Sequence, residues 1–387
     1  MNMQIDLEKG IANVGDVSRM KEVMARAKRG GRLVIGFIGG SITQGSLSST
    51  PQTCYAYRVY TWWKETFPQA EFVYCNAGIG GTTSEFGAAR VGTDLLAERP
   101  DFVIVEFSVN DESTEHFKET YEGLVRKILG AAWNPAVLLV HNVFYHNGAN
   151  AQVMHAALGR HYDLPSVSMQ NSIYPEVVAG RIENRAITPD DLHPNDEGHA
   201  LVASVITYFL EQVRSGKLTG SNASFALGAK LPVPLTKNAY EDSVRIRNAA
   251  APDMAGLQQP TLDGFTPDET AQNEITDCFR YGWTAKKTGD AITFLVEGSC
   301  IAVQYRKSVK LPAPVALAVV DDDTEHAVRL DANFDETWGD KLELATLLEH
   351  GKEGRHIVTI RLAETHEDDA VPFYLVSVIA TGRRGRD

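Results

Sequence analysis

Short, uninterrupted apolar runs alternate with amphipathic segments over the first half of the chain. The apolar runs are RLVIGFI, EFVYCNA, DFVIVEFS and AVLLVHNVF, followed by a weaker fifth run, LPSVSMQ. Such runs are typical of strands that are covered on both faces. Helix-compatible segments cover residues 55–67, 84–98, 115–132 and 151–162, and GHALVASVITYFLEQVRSG predicts a closing amphipathic helix. Strict alternation of strand and helix predicts an α/β layered domain with a parallel sheet and right-handed crossovers.

The pattern changes near Leu218. Residues 218–240 are rich in Gly, Ser, Asn and Pro, which indicates a linker. The remaining apolar runs are separated by Gly/Asp/Glu turns without a long helix, and HIVTIRL alternates apolar with polar residues as a strand with one wet face does. We therefore predict an α/β domain over 1–217, a linker over 218–240 and a smaller β-sandwich over 241–387.

The negative net charge of the chain disfavours some classes of binding partner. The 387 residues include 37 Lys and Arg against 50 Asp and Glu, which gives a formal net charge of −13. Such a surface repels phosphate backbones and anionic lipid, so we expect no nucleic acid and no membrane partner. The first twenty residues carry early acids and lack the apolar core of a signal peptide, and no run approaches the ~20 apolar residues that span a bilayer. We expect a cytoplasmic protein; the sequence also allows a homo-oligomer.

The cysteines and histidines show no metal-binding spacing. We interpret the cysteines as free thiols of a reducing compartment and the clustered histidines as ordinary surface or packing residues. These residues are Cys54, Cys75, Cys278, Cys300, His141, His146, His155 and His161. We therefore predict neither a metal nor a cofactor.

The stretch GFIGGSITQG places a serine directly after the first buried strand. A dinucleotide site would require an acid at the end of the second strand, which instead ends in Asn76, and a phosphate loop would require a following Gly-Lys-Ser/Thr. The nucleophile elbow G-x-S-x-G fails because Thr43 stands at the place of its second glycine. What remains is a serine, Ser41, exposed at the carboxyl end of a strand, where an open α/β sheet places its site.

A serine nucleophile needs a base and a group that orients the base. The polar stretch TPDDLHPNDEGH offers both, since Asp190 lies three residues before His193 and can fold back onto the imidazole. Pro194 fixes the chain just beyond, and Asn195 or Asp196 can cap the last helix.

Two further strand ends converge on the same edge of the sheet. NAGIGGTTS leaves the second strand through glycines whose amides can approach a ligand, and EFSVND leaves the third strand with Asn110. Acyl transfer builds negative charge on a carbonyl oxygen, which preorganised N–H donors stabilise. A backbone amide of the glycine turn, the Asn110 side chain and the N–H of Ser41 would form such an oxyanion hole.

Together these four stretches resemble the SGNH (GDSL-type) hydrolase family over roughly residues 30 to 215. GGSIT corresponds to the serine block, NAGIGGTTS to the glycine block, SVND to the G-x-N-D block and DLHPN to the final D-x-x-H block. The resemblance implies a catalytic triad of Ser41, Asp190 and His193, and an oxyanion hole of Ser41, Gly81 and Asn110. It also implies a three-layer, flavodoxin-like sheet.

The chain departs from the family pattern at two positions, with Gly40 where many members carry Asp and Ser108 where the third block begins with Gly. Both change the backbone context rather than a reacting group. With its appended sandwich (a jelly-roll), the chain is similar to the two-domain β-mannan O-acetylesterases of gut bacteria. That resemblance implies an acetylated oligosaccharide substrate and a carbohydrate-binding-module-like second domain.

Aromatic residues of the second domain are candidates for stacking on sugar rings. Trp283, Trp338 and Tyr281 could form such a platform, and sandwich core is the alternative for each of them. Trp338 stands in the polar stretch NFDETWGDK and is the best candidate. The acidic loop 321–323 could bind Ca²⁺, although a solvated turn is the simpler interpretation.

Other functions remain open at this level. The same scaffold could serve an acetylxylan esterase, or a lysophospholipase or thioesterase with an apolar acyl channel. A sugar-binding protein with a decayed site is the non-enzymatic alternative, which the intact serine, asparagine and Asp-x-x-His disfavour.

Overall fold

Two compact units make up the chain, Met1–Asn238 and Ala239–Asp387. The structure, a computed structural model, describes residues 5–220, 230–248 and 258–382. Of the predicted linker 218–240, residues 221–229 lie outside the described residues, and residues 230–238 belong to the first unit.

The described part of the first unit alternates strands and helices as the sequence predicts. Its strands are β1 (Ile11–Asn13), β2 (Arg32–Gly39), β3 (Glu71–Gly78), β4 (Phe102–Glu106), β5 (Ala136–His141) and β6 (Ser166–Ser168). Its helices are α1 (Ser18–Lys28), α2 (Ser41–Gln44), α3 (Tyr55–Thr66), α4 (Ser84–Asp94), α5 (Glu115–Leu129), α6 (Gln152–His161), α7 (Met169–Ser172), α8 (Tyr174–Val178), α9 (Asn184–Ile187) and α10 (Asp196–Arg214).

These strands form one sheet in the order β1-β6-β5-β4-β2-β3, in which β2 to β6 are parallel and β1 is antiparallel to β6. Without β1 this is the flavodoxin-like order, so the predicted parallel α/β domain is confirmed. Strands β4 and β5 are buried along their whole length. The sequence analysis did not identify β1 or α1, and the three residues of β1 are too few to carry a periodic signal.

Helices cover both faces of the sheet. Helices α1, α3 and α10 form one contacting group, whereas α4, α5 and α6 form another. Side chains of β4 alternate between them: Phe102 and Ile104 join the core cluster of α1, α3 and α10, and the phenyl ring of Phe107 just beyond the strand lies beside Gly87 of α4. The result is three layers around a central sheet.

The described part of the second unit is a sandwich of two antiparallel sheets. Its strands are β7 (Val244–Ile246), β8 (Thr261–Asp263), β9 (Thr266–Pro267), β10 (Trp283–Ala285), β11 (Ala291–Gly298), β12 (Cys300–Lys307), β13 (Val315–Val320), β14 (Val328–Asp331), β15 (Lys341–Leu348), β16 (Gly354–Glu364) and β17 (Phe373–Thr381). One sheet has the order β15-β12-β17-β10-β9, with β7 also on β17, and the other β14-β13-β16-β11-β8. Burial alternates along β16, as predicted for HIVTIRL, and the predicted β-sandwich is confirmed.

A buried carboxylate fixes residues 230–238 to the first unit. Glu122 of α5 accepts hydrogen bonds from the backbone N–H groups of Leu235 (2.7 Å) and Thr236 (2.8 Å) and from the hydroxyl of Tyr162 (2.5 Å). Burial alone would raise the pKa of Glu122, but the hydrogen bonds from Thr236, Tyr162 and Leu235 outweigh it and lower that pKa. The carboxylate therefore stays ionised and holds the segment in place.

We expect Glu122→Gln to release this segment, because the amide replaces one acceptor oxygen by a donor that opposes the backbone N–H groups. Amide hydrogen exchange at Leu235 and Thr236 should accelerate at least about tenfold, with a stability loss of about 1–3 kcal/mol. The pKa of Glu122 is lowered in the folded state. The extra stability of the unmodified protein relative to Glu122→Gln is therefore fully present above the unfolded-state pKa of about 4.3, and it is lost as the pH falls through the folded-state pKa. The exposed Glu115→Gln on the same helix is the control; equal exchange in both variants would contradict the assignment.

Candidate active site

Ser41 opens a one-turn helix immediately beyond β2. It is the first residue of α2, and the residue is 8% exposed. The N–H groups of Gly45 (3.0 Å) and Ser46 (2.9 Å) both donate to the Ser41 carbonyl, and Gly45 has the left-handed φ of +104° that closes such a turn. The serine hydroxyl is therefore presented by a short, internally bonded turn at the carboxyl end of the strand.

His193 and Asp190 meet this hydroxyl. The Ser41 Oγ lies 2.8 Å from His193 Nε2, and His193 Nδ1 lies 2.6 Å from Asp190 Oδ2. An ionised carboxylate can only accept, so Nδ1 carries the ring proton and Nε2 is free to accept from the serine. Partial burial would raise the pKa of Asp190, but hydrogen bonds from the ring and backbone of His193 lower it overall. The carboxylate stays charged.

The loop before His193 is held by specific contacts. Asp191 adopts a left-handed φ of +71°, a conformation that Asp tolerates better than most residues. Its carboxylate accepts from Asn184 (2.6 Å) and Arg185 (2.7 Å), and its carbonyl accepts from the N–H of Tyr145 (3.0 Å). Of the two residues considered for the cap of α10, Asn195 is the N-cap, and its Oδ1 accepts from two backbone N–H groups.

The glycine turn after β3 lies against the serine. A Cβ placed on Gly80 would be 3.6 Å from the Cβ of Ser41, and the N–H of Gly80 donates to Gln44 Oε1 at 2.6 Å. Gly81 has a left-handed φ of +68° with open space at its Cβ position. The turn is thus fixed by α2 and presents its backbone at the serine side of the sheet.

Asn110 packs on the backbone that precedes Ser41. A Cβ on Gly40 would lie 2.1 Å from Asn110 Oδ1, so only glycine leaves this amide in place. The Ser108 hydroxyl lies 3.1 Å from Glu106 Oε1 and 3.1 Å from the carbonyl of Asn142, which ties the end of β4 to the end of β5. Both departures from the family pattern, Gly40 and Ser108, therefore have a structural explanation.

Asp111 joins the two turns that carry Gly81 and Asn110. Its Oδ1 accepts from the N–H of Ser84, three residues after Gly81, at 2.9 Å. Its Oδ2 lies 3.0 Å from Nε2 of the fully buried His155, whose ring stacks on that of Tyr121 with centroids 3.6 Å apart. One buried carboxylate thus fixes the spacing of both turns.

Two further buried ionisable groups lie at the strand ends. Arg90 of α4 donates to the carbonyls of Ala77 (2.7 Å) and Gly39 (3.2 Å), where β3 and β2 end. Burial raises the pKa of Glu106, the last residue of β4, to about 7. A rigid polar layer therefore lies directly beneath the candidate site.

The sheet topology brings these groups together. Strand β2 lies between β3 and β4, so the chain reverses direction across the sheet after β3 and leaves a crevice at the ends of β2 and β4. Open α/β sheets bind ligands at such a switch point. Ser41 follows β2 and Asn110 follows β4, and the geometry suits a nucleophile, a base and nearby N–H donors.

Aromatic candidates in the second unit differ in exposure. Trp283 is 1% exposed and packs edge-on against Phe294. It belongs to the sandwich core, so its prediction as a residue that contacts sugar is wrong. Tyr281 is half-buried. Trp338 is 62% exposed and lies edge-on against Phe334, which fits a contact surface.

The remaining candidate groups are engaged in local contacts. In loop 321–323, Asp321 binds the His356 ring (2.6 Å) and Asp323 the His326 ring (2.8 Å). Across the described ranges, no three His, Cys, Asp or Glu residues are arranged to hold a metal ion. No helix in those ranges has the length and apolar character needed to cross a bilayer. None of the four cysteines forms a disulfide.

Sequence reasoning missed several supporting residues. Asp111 stands inside the SVND block, and its carboxylate next to Asn110 was the available signal. His199 stands in the EGH stretch at the start of α10, and its contacts with Ser46 and Tyr55 become visible only in three dimensions.

Comparison with known proteins identifies the family of the chain. The profile of the GDSL-like Lipase/Acylhydrolase family matches residues 37–201. Two crystal structures of a two-domain esterase active on acetylated mannans match nearly the whole chain, each with a TM-score of 0.92 over 99% of this chain and 100% of that chain. Sequence identity is 64% to the one co-crystallized with mannopentaose and 65% to the other. Curated protein sequences give no significant match.

The family assignment rests on both comparisons. The profile covers the segment that holds Ser41, Gly81, Asn110 and His193, and the whole-chain identity of 64% extends the relationship to the second unit. The resemblance found in the four sequence blocks is thereby confirmed. The chain belongs to the GDSL-like lipase/acylhydrolase (SGNH) family, as a two-domain member.

Proposed function

We propose that this protein is a serine esterase that removes O-acetyl groups from plant β-glycan oligosaccharides, acetylated β-mannan above all. The observation that carries the proposal is the continuous chain of hydrogen bonds from Ser41 through His193 to Asp190, with distances of 2.8 Å and 2.6 Å. The relative with 64% identity is an esterase active on acetylated mannans, which supports the substrate class.

The reaction proceeds in two acyl-transfer steps. Ser41 Oγ attacks the acetyl carbonyl carbon while His193 Nε2 takes the hydroxyl proton, and Asp190 stabilises the resulting imidazolium. The N–H groups of Ser41 and Gly81 and the side-chain amide of Asn110 donate to the oxyanion. The intermediate collapses as the C–O bond to the sugar breaks and His193 returns its proton to the leaving alkoxide. The acetyl group remains on the serine.

Water completes the turnover. His193 removes a proton from water, which attacks the acetyl-serine carbonyl in the same oxyanion hole. Collapse of the second intermediate returns the proton to Ser41 Oγ and releases acetate. Every proton is carried by one imidazole, so the chemistry requires the neutral ring, held by an ionised Asp190.

The second unit, in this proposal, helps to hold the oligosaccharide as a carbohydrate-binding module does. Trp338 is the only strongly exposed Trp, Phe or Tyr among the described residues of that unit. Flat aromatic rings bind the apolar face of a pyranose well. Lys307 and Lys341 lie over the neighbouring Phe334 ring, at 5.7 Å and 5.9 Å from its centroid, and support the loop.

Acetate release from acetylated mannan and acetylated xylan oligosaccharides, followed by NMR of the acetylated positions, tests the substrate class. We expect faster release from mannan, and faster hydrolysis of p-nitrophenyl acetate than of the octanoate. A higher kcat/KM on acetylated xylan would favour an acetylxylan esterase. Faster hydrolysis of the octanoate ester would favour a lysophospholipase or thioesterase, and the absence of any hydrolysis would favour a sugar-binding protein.

The oxyanion role of Asn110 can be tested together with Gly40. Asn110→Ala should lower kcat about 10²–10³-fold. Gly40→Ala should also lower kcat, since its Cβ would lie 2.1 Å from Asn110 Oδ1, and the double variant should be no worse than Asn110→Ala alone. The control is Gly92→Ala, which meets no atom within 4 Å. Additive losses would show that Gly40 acts on some other group.

Trp338→Ala tests the carbohydrate contact. We expect a rise of about two- to tenfold in KM for acetylated oligosaccharides, with kcat on p-nitrophenyl acetate unchanged. Leu317→Ala, which truncates another exposed apolar side chain of the second unit, should change neither constant. An unchanged KM in Trp338→Ala would remove this ring from the sugar contact.

A further inference from the structure

His199 connects the two segments that carry the reacting side chains. It lies on α10, six residues after His193, and it is completely buried. Its Nδ1 lies 3.2 Å from the backbone N of Tyr55, and its Nε2 lies 3.3 Å from the carbonyl oxygen of Ser46. The ring is therefore bonded at both nitrogens to the segment that follows the nucleophile.

These partners fix the tautomer of His199. A backbone N–H can only donate, so Nδ1 accepts, and a carbonyl can only accept, so Nε2 carries the proton. Burial lowers the pKa of His199 to about 4, which keeps the ring neutral at physiological pH. Nδ1 is therefore always the acceptor and Nε2 always the donor, so the ring connects the backbones of Tyr55 and Ser46 rigidly.

The Ser46 contact continues directly to the nucleophile. The N–H of Ser46 donates to the carbonyl of Ser41 at 2.9 Å. His199 and Ser41 are thus joined through a single intervening residue by two consecutive hydrogen bonds. A shift of His199 would be transmitted to the one-turn helix that presents the hydroxyl.

The Tyr55 contact supports the same turn from its other side. Tyr55 is the first residue of α3, and no side chain caps the start of this helix. His199 Nδ1 therefore accepts a hydrogen bond from the Tyr55 N–H, one of the N–H groups that have no partner within the helix. The buried Tyr55 hydroxyl then reaches Thr43 Oγ1 of α2 at 2.8 Å. The rings of Tyr55 and His199 stack with their centroids 6.2 Å apart.

A second connection runs beside the first at the surface. Asp196, the first residue of α10, accepts from the backbone N–H (2.8 Å) and hydroxyl (2.5 Å) of Ser49. Hydrogen bonding by Ser49 lowers the pKa of Asp196 to about 2. Helix α10 is therefore joined at Ser46, Ser49 and Tyr55 to the serine segment, which we define as residues 41–55. His193 lies three residues before the same helix.

We propose that His199 is a positioning residue of the esterase reaction, which sets the contact of Ser41 Oγ with His193 Nε2 through its hydrogen bond to Ser46. The inference rests on the proposed function, since it assigns those two atoms to proton transfer. His199 itself touches neither substrate nor reacting atoms. A displacement of about 1 Å at such a contact can cost about 10²-fold in rate.

Two conservative variants separate the two hydrogen bonds. In His199→Gln the terminal amide nitrogen takes the place of Nε2 and keeps the donor to Ser46, whereas in His199→Asn the amide oxygen takes the place of Nδ1 and keeps the acceptor for Tyr55. We expect His199→Gln to retain kcat for p-nitrophenyl acetate within about threefold. His199→Asn should lose at least about tenfold in kcat with KM nearly unchanged.

Val205→Ala controls for lost stability. Val205 is fully buried on the same helix and makes no hydrogen bond to the serine segment through its side chain, so we expect a lower Tm with unchanged kcat. If Val205→Ala and His199→Asn lose kcat in the same proportion to their loss of Tm, the effect of His199 is one of stability, and His199 has only a structural role. Retention of kcat within twofold in His199→Asn, or equal losses in the Gln and Asn variants, would overturn the proposal.

Failure of the proposed function gives a different result. The second-order rate of Ser41 modification by a fluorophosphonate reports its activation by His193 without requiring a natural substrate. If the unmodified protein does not hydrolyse acetyl esters, the proposed esterase function is wrong. The ratio of the Ser41 modification rates of His199→Gln and His199→Asn still tests the positioning role of His199. We expect that ratio to be at least about three; a ratio of one would overturn it.

Discussion

The whole arrangement depends on one hydrogen bond, between the hydroxyl of Ser41 and the imidazole of His193, which are 152 residues apart in sequence and 2.8 Å apart in space. A serine hydroxyl at neutral pH is a weak nucleophile unless a base lies in contact with it. The sheet makes the contact possible. The strand order places Ser41 at the switch point, and α10 brings the His193 loop across it.

Such a contact requires a stiff surrounding, and much of the chain supplies it. Buried ionisable groups occupy the strand ends instead of apolar side chains. Arg90 donates to the carbonyls at the ends of β2 and β3, Asp111 joins the turns that carry Gly81 and Asn110, and the Glu106 carboxylate lies against the Ser108 hydroxyl. Burying these groups is costly unless they are paired, so they tolerate few alternative arrangements. They define the position of the site more narrowly than an apolar core would.

The sequence predicted those features that local pattern encodes. Continuous apolar runs identified β2 to β5, and the Asp190–His193 spacing identified a carboxylate within reach of an imidazole. It could not identify β1, whose three residues form a strand only by pairing with β6. It could not decide between surface and core for Trp283, since both interpretations fit a tryptophan in a strand.

Tertiary contacts explain what else was missed. His199 and Asp111 look like ordinary polar residues next to a motif, and their partners, Ser46 and Ser84, are 153 and 27 residues away. The exclusion of a side chain at Gly40 likewise depends on Asn110, which lies in the turn after β4. Sequence motifs thus indicate the candidate reacting groups, whereas the residues packed around them are found only in the folded chain.

Peptide mapping after fluorophosphonate labelling tests the activation of Ser41 most directly. The account predicts a single adduct, on the Ser41 Oγ, formed by the native protein and slowed at least about 10³-fold in His193→Ala. An adduct on a different residue, or labelling of Ser41 that proceeds equally fast without the imidazole, would contradict it.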